Sequence, residues 1–271
     1  MKYSVLMSIY SKENPSFFET SVNSMLSQTI KPDEIILVCD GPLTSELDKL
    51  IDEYSKNSIF NIIRLNVNKG LSNALNIGIR ECKNEYILRM DSDDISLPYR
   101  AEKELKILDS GYDIVGSFIS EFVDDSSNVK GYRKVPVDHK SIVKFSKRRS
   151  PFNHPSVAFK KSSILKSGNY SLETRYMQDY YLWVRCIQNG CKCFNIPEVL
   201  VNMRSGISMR SRRKGKEFAK SYKIVFKYML KSKYINPIRY IQNIVSFFFY
   251  SHLSPNLKEQ IVYKFLRSKT K

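Results

Sequence analysis

Residues 34–42 read Glu-Ile-Ile-Leu-Val-Cys-Asp-Gly-Pro, and this short stretch indicates the class of fold. A continuous apolar run of this length is typical of a strand that is covered on both faces, as in a parallel sheet. The Asp-Gly-Pro that follows is a strong turn signal, because Gly and Pro interrupt regular structure. We therefore predict a buried strand at 34–39 that ends in a turn at Asp40.

The sequence around this strand repeats strand and helix signals through the first hundred residues. Further apolar runs predict strands at 4–9, 60–65 and 85–90. Apolar residues at helical spacing predict helices at 15–28, 47–54 and 71–82. Repeated units of this length imply parallel strands joined by right-handed crossovers. The predicted fold class is therefore α/β, and its first half resembles a Rossmann-type nucleotide-binding layer.

The regular alternation of strand and helix signals ends near residue 110. Short strands are predicted at 114–119, 157–159 and 192–196, and one firm helix at 178–187. From residue 212 onward the sequence becomes helical and basic.

The charge of the chain is unevenly distributed. The 271 residues include 44 Lys or Arg and 27 Asp or Glu, a formal net charge of +17. Residues 201–271 hold 17 basic and two acidic residues, whereas residues 1–200 hold 27 and 25. A basic tail on a nearly neutral body indicates a polyanionic partner, either nucleic acid or an anionic membrane surface. The composition, with 42% apolar residues, excludes a collagen, a coiled coil, a disulfide mini-protein and a disordered chain.

The sequence shows neither a secretory signal nor an apolar run of about 18 residues, so we expect no spanning helix. The five cysteines are odd in number and lie mostly in apolar segments. We expect them to be buried free thiols in a reducing cytosol.

The acid loop, which we define as Asp91-Ser92-Asp93-Asp94, follows the predicted strand at 85–90. In open α/β sheets ligands bind beyond the carboxyl ends of the strands. Crowded carboxylates repel one another, and hard cations such as Mg²⁺ or Mn²⁺ take carboxylate oxygens together with substrate phosphates. The alternative is a solvated acidic turn that caps a helix beginning near Pro98.

Three segments in a fixed order, residues 38–41, 68–78 and 88–94, resemble the donor-binding half of family 2 glycosyltransferases. Within that family the chain is similar to bacterial O-antigen, capsule and exopolysaccharide (amylovoran-type) sugar transferases. The resemblance covers at least residues 3–100. It implies the GT-A fold and transfer of a sugar from a nucleotide diphosphate with inversion of the anomeric configuration. We expect the donor to be a UDP-linked sugar.

The resemblance also implies a nucleotide-sugar site. Tyr10 and Glu13 would close the first loop near the nucleotide. Asp40 would accept a hydrogen bond from the uracil imide, and Lys69 and Gly70 would lie beside the base.

On the same grounds, Asp91 would face the ribose or uracil. Asp93 would coordinate the Mn²⁺ or Mg²⁺ that bridges the two phosphates. Arg204 matches a family arginine on a mobile loop near the donor diphosphate, with Arg210, Arg212 and Arg213 as weaker candidates for the same task.

The second half would supply the acceptor site. Residues 176–185 resemble a family segment in which an acid begins a helix, and they make Asp179 the catalytic base that deprotonates the acceptor hydroxyl. The alternative is an acid that only complements the helix dipole. His154 and Trp183 are weaker acceptor-binding candidates, and the helical position of Trp183 favours the core.

We therefore expect a catalytic domain at 1–205, divided into a nucleotide-sugar-binding half at 1–100 and an acceptor half at 101–205. A basic amphipathic helical region at 206–271 would follow it. The apolar residues at 218, 222, 225, 226 and 229 share one helical face. This pattern fits an interfacial helix on an anionic leaflet or a helix packed on the catalytic domain, and both can hold for different helices.

The predicted function is an inverting, metal-dependent sugar transfer from a UDP-linked donor to an undecaprenyl-diphosphate-linked saccharide in surface polysaccharide synthesis. The enzyme would be cytoplasmic, peripheral on the inner face of the membrane. One alternative, a nucleotidyltransferase, should carry a Gly-rich phosphate loop that residues 8–13 lack. Another, a non-catalytic nucleic-acid-binding protein, has no use for the acid loop. No nucleic-acid-binding signature is present, so we expect no nucleic acid partner.

Overall fold

The computed structural model describes residues 1–205 and 216–254, together with positions 257, 261, 267 and 268. Its strands are β1 Tyr3–Ile9, β2 Glu34–Cys39, β3 Phe60–Arg64, β4 Tyr86–Met90, β5 Ile95–Ser96, β6 Ile114–Phe122, β7 Gly131–Arg133, β8 Ala158–Lys160 and β9 Cys193–Arg204. Its helices are α1 Pro15–Leu26, α2 Ser45–Ser55, α3 Leu71–Glu81, α4 Arg100–Asp109, α5 His139–Ser146, α6 Lys161–Lys166, α7 Gln178–Gln188, α8 Lys216–Lys231 and α9 Pro237–His252.

The strands form one mixed sheet in the order β3-β2-β1-β4-β8-β6-β9-β5, with β7 paired to β6. The first four strands are parallel, which confirms the pairing predicted for the first half of the chain. β8 is antiparallel to both β4 and β6, so β6 runs in the same direction as β4. β9 is parallel to β6. The carboxyl ends of β1, β2, β4, β6 and β9 therefore lie at one edge of the sheet.

Helices cover both faces of this sheet. Along β1 the side chains alternate, as a strand requires. Val5 and Met7 pack in the layer with α1, α2 and α4. Leu6 packs in the opposite layer with α3 and α7. The parallel strands are apolar along their length because both faces are buried.

α4 and β9 differ from the sequence prediction, which gave no bounds for α4 and only residues 192–196 for β9. α4 buries the ion pair of Arg100 and Glu104, in which Nε lies 3.1 Å from both carboxylate oxygens. Charged residues at buried positions obscure the apolar helical pattern. β9 is twelve residues long rather than five, because its pairing with β6 continues after register shifts near Phe118.

The sequence left two alternatives for the basic region, a helix on a membrane surface and a helix packed on the rest of the protein. The two C-terminal helices differ in this respect. α8 buries Val225, Phe226 and Met229 against Tyr180 and Val184 of α7. Its lysines at 216, 220, 223, 227 and 231 are exposed. α8 is thus a packed helix with a solvated basic face.

α9 packs on α8 through the face of α9 that carries Asn243 and Phe247. The Tyr222 hydroxyl donates to the Asn243 carbonyl over 2.9 Å, and Phe247 stacks on Tyr222 with ring centroids 4.0 Å apart. The opposite side of α9 carries exposed apolar residues, which we call the apolar stripe: Ile238, Ile241, Val245, Phe248 and Phe249.

All five cysteines are buried and free, as predicted. Among the described residues, every helix falls short of the length and apolar character needed to cross a bilayer.

Candidate active site

The acid loop follows β4 directly, at the sheet edge where β1, β2, β3, β6 and β9 also end. The side chain of Asp91 is 33% exposed, whereas that of Arg89 is 1% exposed. Both terminal nitrogens of Arg89 donate hydrogen bonds to the two carboxylate oxygens of Asp91. The Asp91 carbonyl accepts a hydrogen bond of 2.7 Å from Ser21 of α1. The loop is therefore fixed to the elements on either side of it.

Asp93 and Asp94 lie in an acidic and poorly solvated environment. Burial, together with the carboxylates of Asp91 and Glu13, raises the pKa of Asp93 to about 7. Burial and the charges of Asp91 and Asp93 likewise raise the pKa of Asp94 well above its ordinary value. Four carboxylates this close together destabilise one another when ionised, so a cation at this edge would relieve their repulsion.

Arg204 is the last residue of β9 rather than part of a mobile loop. Its backbone N–H donates to Asp94 over 2.7 Å, and its Nε donates to the Asp93 carbonyl over 3.1 Å. Its guanidinium lies over the rings of Phe17 and Phe122, 3.7 Å and 4.6 Å from their centroids. Arg204 therefore clamps the acid loop to β9. The weaker candidates Arg210, Arg212 and Arg213 lie outside the described residues.

The Asp40 carboxylate is bonded to the loop that precedes α3. Its two oxygens accept backbone hydrogen bonds of 2.8 Å from Lys69 and Gly70. The neighbouring Gly41 has φ +91°, and a Cβ there would lie 2.6 Å from the Asn68 nitrogen. Asp40 thus positions the start of α3 at the sheet edge, next to Lys69, which is exposed. The contact of Asp40 with uracil stays a prediction.

Tyr10 and Glu13 lie in the loop after β1, as predicted. The Glu13 N–H donates to the Tyr10 carbonyl over 3.1 Å, which closes a tight turn. The Glu13 carboxylate accepts from the Ser92 hydroxyl and from the N–H of Asn14. Glu13 is thereby tied to the acid loop, and the first and fourth strand ends form one site.

Asp179, the predicted catalytic base, lies in the first turn of α7. The residue before this helix, Met177, adopts a left-handed conformation with φ +62°, which is uncommon for a residue other than glycine. Strained backbone of this kind concentrates at functional sites. The Asp179 side chain is partly exposed, and within the described chain its carboxylate accepts no hydrogen bond.

Tyr170 is a buried residue that packs against Trp183. Burial raises the pKa of Tyr170, Arg89 opposes that rise, and the carboxylates of Asp179 and Asp91 reinforce it. Charges from the acid loop and from α7 therefore converge on one phenol. His154 lies 2.9 Å from the same hydroxyl through Nε2. Burial and the Arg89 charge lower the pKa of His154 well below its ordinary value, so its imidazole is neutral.

Trp183 does not line the site. It has no exposed surface and packs against Phe152, with ring centroids 5.4 Å apart. This burial corrects the weak acceptor-binding assignment of Trp183: the residue belongs to the core, because a sugar has no exposed face of the indole on which to stack.

The acid loop fits a divalent cation that is shared with a phosphate ligand. In the described part of the chain, no three His, Cys, Asp or Glu side chains form a complete ligand set. Mg²⁺ at phosphate sites commonly uses one or two carboxylates, with waters and phosphate oxygens completing the sphere. The loop offers Asp93 and a buried Asp94 oxygen, Oδ2, that has no hydrogen-bond partner among the described residues. This donor set suits such an ion.

Arg89 and Tyr170 are site residues that the sequence analysis missed. Arg89 carried a signal, since a charged residue inside the apolar run at 86–90 is expected only where it is paired. Tyr170 carried none, because it lies in an irregular segment far from every motif.

Comparison with known proteins adds family and fold. The family model described as "Glycosyl transferase family 2" matches residues 4–168. An Escherichia coli UDP-Gal:alpha-D-GlcNAc-diphosphoundecaprenol beta-1,3-galactosyltransferase is 38% identical over 268 residues, 98% of this chain and 97% of that protein. The amylovoran biosynthesis glycosyltransferase AmsE of Erwinia amylovora is 35% identical over 239 residues, 88% of this chain and 89% of that protein.

Among solved structures, residues 1–349 of S. aureus TarS in complex with UDP-GlcNAc match with a TM-score of 0.65 at 17% identity. The match covers 98% of this chain and 72% of that chain. The chain spans 43% of the longer TarS structure. At this identity the likeness carries the fold alone, and it confirms the predicted GT-A architecture.

Proposed function

This chain belongs to glycosyltransferase family 2, and from that premise we propose that it transfers a sugar from a UDP-linked donor to a saccharide carried on a prenyl diphosphate, with inversion at the anomeric carbon. The E. coli relative that matches almost the whole chain is named for a UDP-sugar donor and a diphosphoundecaprenol acceptor. The observation that carries the proposal is the acid loop at the carboxyl end of β4, held in place by Arg89, by Ser21 of α1 and by the backbone of Arg204.

The donor half would hold the nucleotide at the edge formed by β1, β2 and β4. Asp40 and Gly70 shape the wall beside α3, where the base would lie. Asp91, oriented by Arg89, would accept a hydrogen bond from the ribose or the uracil. Tyr10 and Glu13 would close the loop over the nucleotide from the side of β1.

Asp93, supported by Asp94, would hold a Mn²⁺ or Mg²⁺ ion together with the donor diphosphate. Such an ion, when bound, neutralises charge on the phosphates and so favours departure of UDP. Arg204 keeps Asp93 and Asp94 in place through its backbone N–H and its Nε. We also assign to Arg204 the stabilisation of the leaving diphosphate through its positive charge, since its Nε and Nη1 are already bonded to backbone carbonyls.

Asp179 would act as the general base. Its carboxylate takes the proton of the acceptor hydroxyl as that oxygen forms a bond to the anomeric carbon. The bond between this carbon and the diphosphate oxygen breaks, and UDP departs. A single displacement places the new bond opposite the old one, so the configuration inverts. His154, neutral and bonded to Tyr170, would contact the acceptor sugar.

The helical region supports a peripheral location on the inner face of the cytoplasmic membrane. The apolar stripe of α9 includes Phe248 and Phe249, which are 59% and 67% exposed. α8, which packs on the other side of α9, presents its lysines to solvent. Exposed apolar and basic groups together favour an anionic bilayer surface, where a lipid-linked acceptor resides. We accordingly divide the chain into a catalytic domain at 1–205, with donor and acceptor halves meeting near residue 100, and a membrane-facing region at 206–271.

The test is a transfer assay with synthetic substrates. The purified chain is incubated with UDP-galactose, UDP-glucose or UDP-GlcNAc, a short-chain prenyl-diphosphate saccharide and Mn²⁺. Mass spectrometry would detect the product, and NMR coupling constants would define its anomeric configuration. We expect an α-linked donor to give a β-linked product. A product with retained configuration would overturn the mechanism, and absence of transfer across all nucleotide sugars would overturn the function.

A further inference from the structure

The start of α7, the helix that carries Asp179, lacks the usual stabilisation of a helix N-terminus. Met177 occupies the N-cap position in the left-handed conformation, and its side chain makes no hydrogen bond to the first turn. A Ser, Thr, Asp or Asn at this position would accept a hydrogen bond from the backbone and stabilise the helix. The backbone at 176–178 must therefore depend on contacts from elsewhere in the protein.

α8 supplies such contacts. The backbone N–H of Tyr176 donates to Ser221 Oγ over 3.3 Å. The ring of Tyr176 also packs edge-on against Phe218, with ring centroids 5.8 Å apart. Met177 packs against the apolar cluster that α8 forms with α7. Two consecutive residues at the start of α7 therefore lie against the C-terminal helical region.

Ser221 is a polar residue on the buried face of α8. It is 2% exposed, and Val225, one turn later on the same face, is completely buried in the apolar cluster. A buried hydroxyl is destabilising unless it has a hydrogen-bond partner. The N–H of Tyr176 is such a partner, and an apolar residue at position 221 could not accept its hydrogen bond. Ser221 therefore makes a specific polar contact in surroundings that otherwise favour an apolar side chain.

α9 holds the N-terminal turns of α8 from the opposite side. Phe247 of α9 lies against both Phe218 and Tyr222, with ring centroids 5.9 Å and 4.0 Å apart. The part of α8 that contacts Tyr176 is thus packed between α9 and the start of α7. Packing on two sides gives Ser221 a fixed position from which to hold the backbone before Asp179.

A second polar contact joins the C-terminal ends of the same two helices. Ser232, the residue after α8, donates to the side chain of Gln188 over 3.3 Å, and Gln188 donates to the Ser232 carbonyl over 3.4 Å. Gln188 is the last residue of α7, whereas Asp179 is the second. Ser221 and Ser232 therefore make similar contacts at opposite ends of α7, near to and far from the carboxylate.

We propose that Ser221 is a positioning residue for catalysis: it fixes the backbone at 176–178 and so orients the carboxylate of Asp179 toward the acceptor hydroxyl. This inference rests on the proposed function, in which Asp179 is the base. A displacement of a catalytic group by about 1 Å can lower a rate by about 100-fold, and we expect the loss of one supporting hydrogen bond to lower it by about tenfold. α8 thus contributes to the acceptor half, although it lies beyond residue 205.

The test compares Ser221→Ala with Ser232→Ala, since each removes one hydroxyl from the contact between α8 and α7. Transfer to a short-chain prenyl-diphosphate saccharide is assayed with Mn²⁺ and with UDP-galactose, UDP-glucose or UDP-GlcNAc. We expect Ser221→Ala to lower kcat about tenfold and to leave the donor KM within about twofold. Ser232→Ala should leave both values within about twofold of the wild type, and Ser221→Thr, which keeps the hydroxyl, should restore most of kcat. Equal losses of kcat in the two alanine variants would reduce the effect to general packing of α8 and overturn the proposal.

A double-mutant cycle shows whether Ser221 acts through Asp179. Ser221→Ala should lower kcat about tenfold in the wild-type background but less than about twofold in the Asp179→Asn background, because a base that is absent cannot be misplaced. Additive losses would show that Ser221 affects catalysis by another route and would overturn the positioning role.

Hydrogen exchange separates this proposal from the proposed function. The N–H of Tyr176 is bonded to Ser221, and the N–H of Tyr181 donates to the Met177 carbonyl over 2.9 Å. We expect both amides to exchange faster in Ser221→Ala than in Ser232→Ala. If the wild type transfers no sugar and this difference is still observed, the proposed function fails and the placement of residues 176–178 by Ser221 stands. If the wild type is active and Ser221→Ala keeps its full kcat, the positioning role alone fails.

Discussion

Arg89 and Asp91 form a bidentate ion pair. The guanidinium is buried within β4, and the carboxylate is partly exposed to solvent. Strand geometry places residues two apart on the same face, so a side chain within the sheet can support one at its edge. The pair orients Asp91 toward the space where the donor would bind. Under the proposed function, Arg89 would therefore be a positioning residue for the nucleotide site.

The first prediction concerns this pair. Lysine is a point charge and cannot make two parallel hydrogen bonds to a carboxylate. We expect Arg89→Lys to raise the donor KM about tenfold, equivalent to about 1.4 kcal/mol, and to lower the free energy of unfolding by about 1–3 kcal/mol. Steady-state kinetics and urea titration would measure both. Arg80→Lys, at an exposed position, is the control. An unchanged donor KM in Arg89→Lys would contradict the positioning role.

The second prediction concerns Asp93. With UDP present, Mn²⁺ at about a hundred times its dissociation constant should stabilise the wild type by about 2.7 kcal/mol. We expect Asp93→Asn to lose most of the resulting rise in Tm and nearly all transferase activity. Differential scanning fluorimetry with and without Mn²⁺ would measure the shift. Asp124→Asn, an exposed acid near Arg204, should behave as the wild type. A full Mn²⁺ response in Asp93→Asn would remove Asp93 from the metal site.

The third prediction concerns the base. Asp179→Asn keeps the shape of the side chain but does not take up a proton, so we expect kcat to fall by about 10²–10⁴. Donor binding should stay within twofold, because Asp179 lies on the acceptor side. Rapid-quench assays and UDP titration would separate the two effects. Glu173→Gln, at an exposed site before the same helix, provides the comparison. Activity above a tenth of the wild-type value would exclude Asp179 as the base.

The fourth prediction concerns stability and pH. Burial raises the pKa of Glu104 to about 7, although Arg100 opposes that rise. The unfolded chain releases this proton near pH 4.5. Between these values the folded state binds more protons than the unfolded state, so the contribution of Glu104 to stability decreases as the pH rises toward 7 and then levels off. Glu104→Gln removes the titration.

Urea unfolding at pH 5.5, 6.5 and 7.5 would measure this effect. We expect the stability of the wild type relative to Glu104→Gln to decline across the three values. Glu102→Gln, an exposed acid on the same helix, should leave the slope of the wild type unchanged. A difference between wild type and Glu104→Gln that is constant with pH would contradict the assignment.

The fifth prediction concerns the apolar stripe. Burying a phenylalanine contributes about 1.5–3 kcal/mol, so replacing both Phe248 and Phe249 by serine should weaken partitioning to phosphatidylglycerol vesicles by tenfold or more. Both residues are exposed, so the fold should remain intact. Sedimentation with vesicles would quantify binding, with Gln242→Ser on the same helix as the control. Unchanged partitioning of the double variant would assign the stripe to something other than a bilayer.

The strands and helices of the first hundred residues could be predicted because their signals are local. β2 begins and ends where its apolar run does, and Asp40 follows it as the turn signal indicates. Polar residues at the ends of parallel strands must then meet, so Glu13, Asp40 and Asp91 could be brought to one edge from the sequence alone.

The parts that could not be predicted depend on contacts between distant segments. The extension of β9 to Arg204 comes from pairing with β6, some eighty residues earlier, which no local pattern records. The family resemblance places Arg204 on a mobile loop, whereas the structure places it at the end of β9. The position of Tyr170 likewise follows from packing between α7 and the second half of the sheet. The burial of Trp183 is different, because its position on a helical face already favours the core.

The hydrogen bond from Arg204 to Asp94 joins residues 110 positions apart. Contacts of such separation form late, because the intervening chain must be ordered first. During synthesis, β1 to β4 can pair as soon as they emerge, but the acid loop lacks its clamp until β9 has been made and has docked beside β6. The acid loop is therefore fixed in place only after the last strand of the sheet has been synthesised. A nascent chain that stops before residue 193 lacks both β9 and the hydrogen bond from Arg204 to the acid loop.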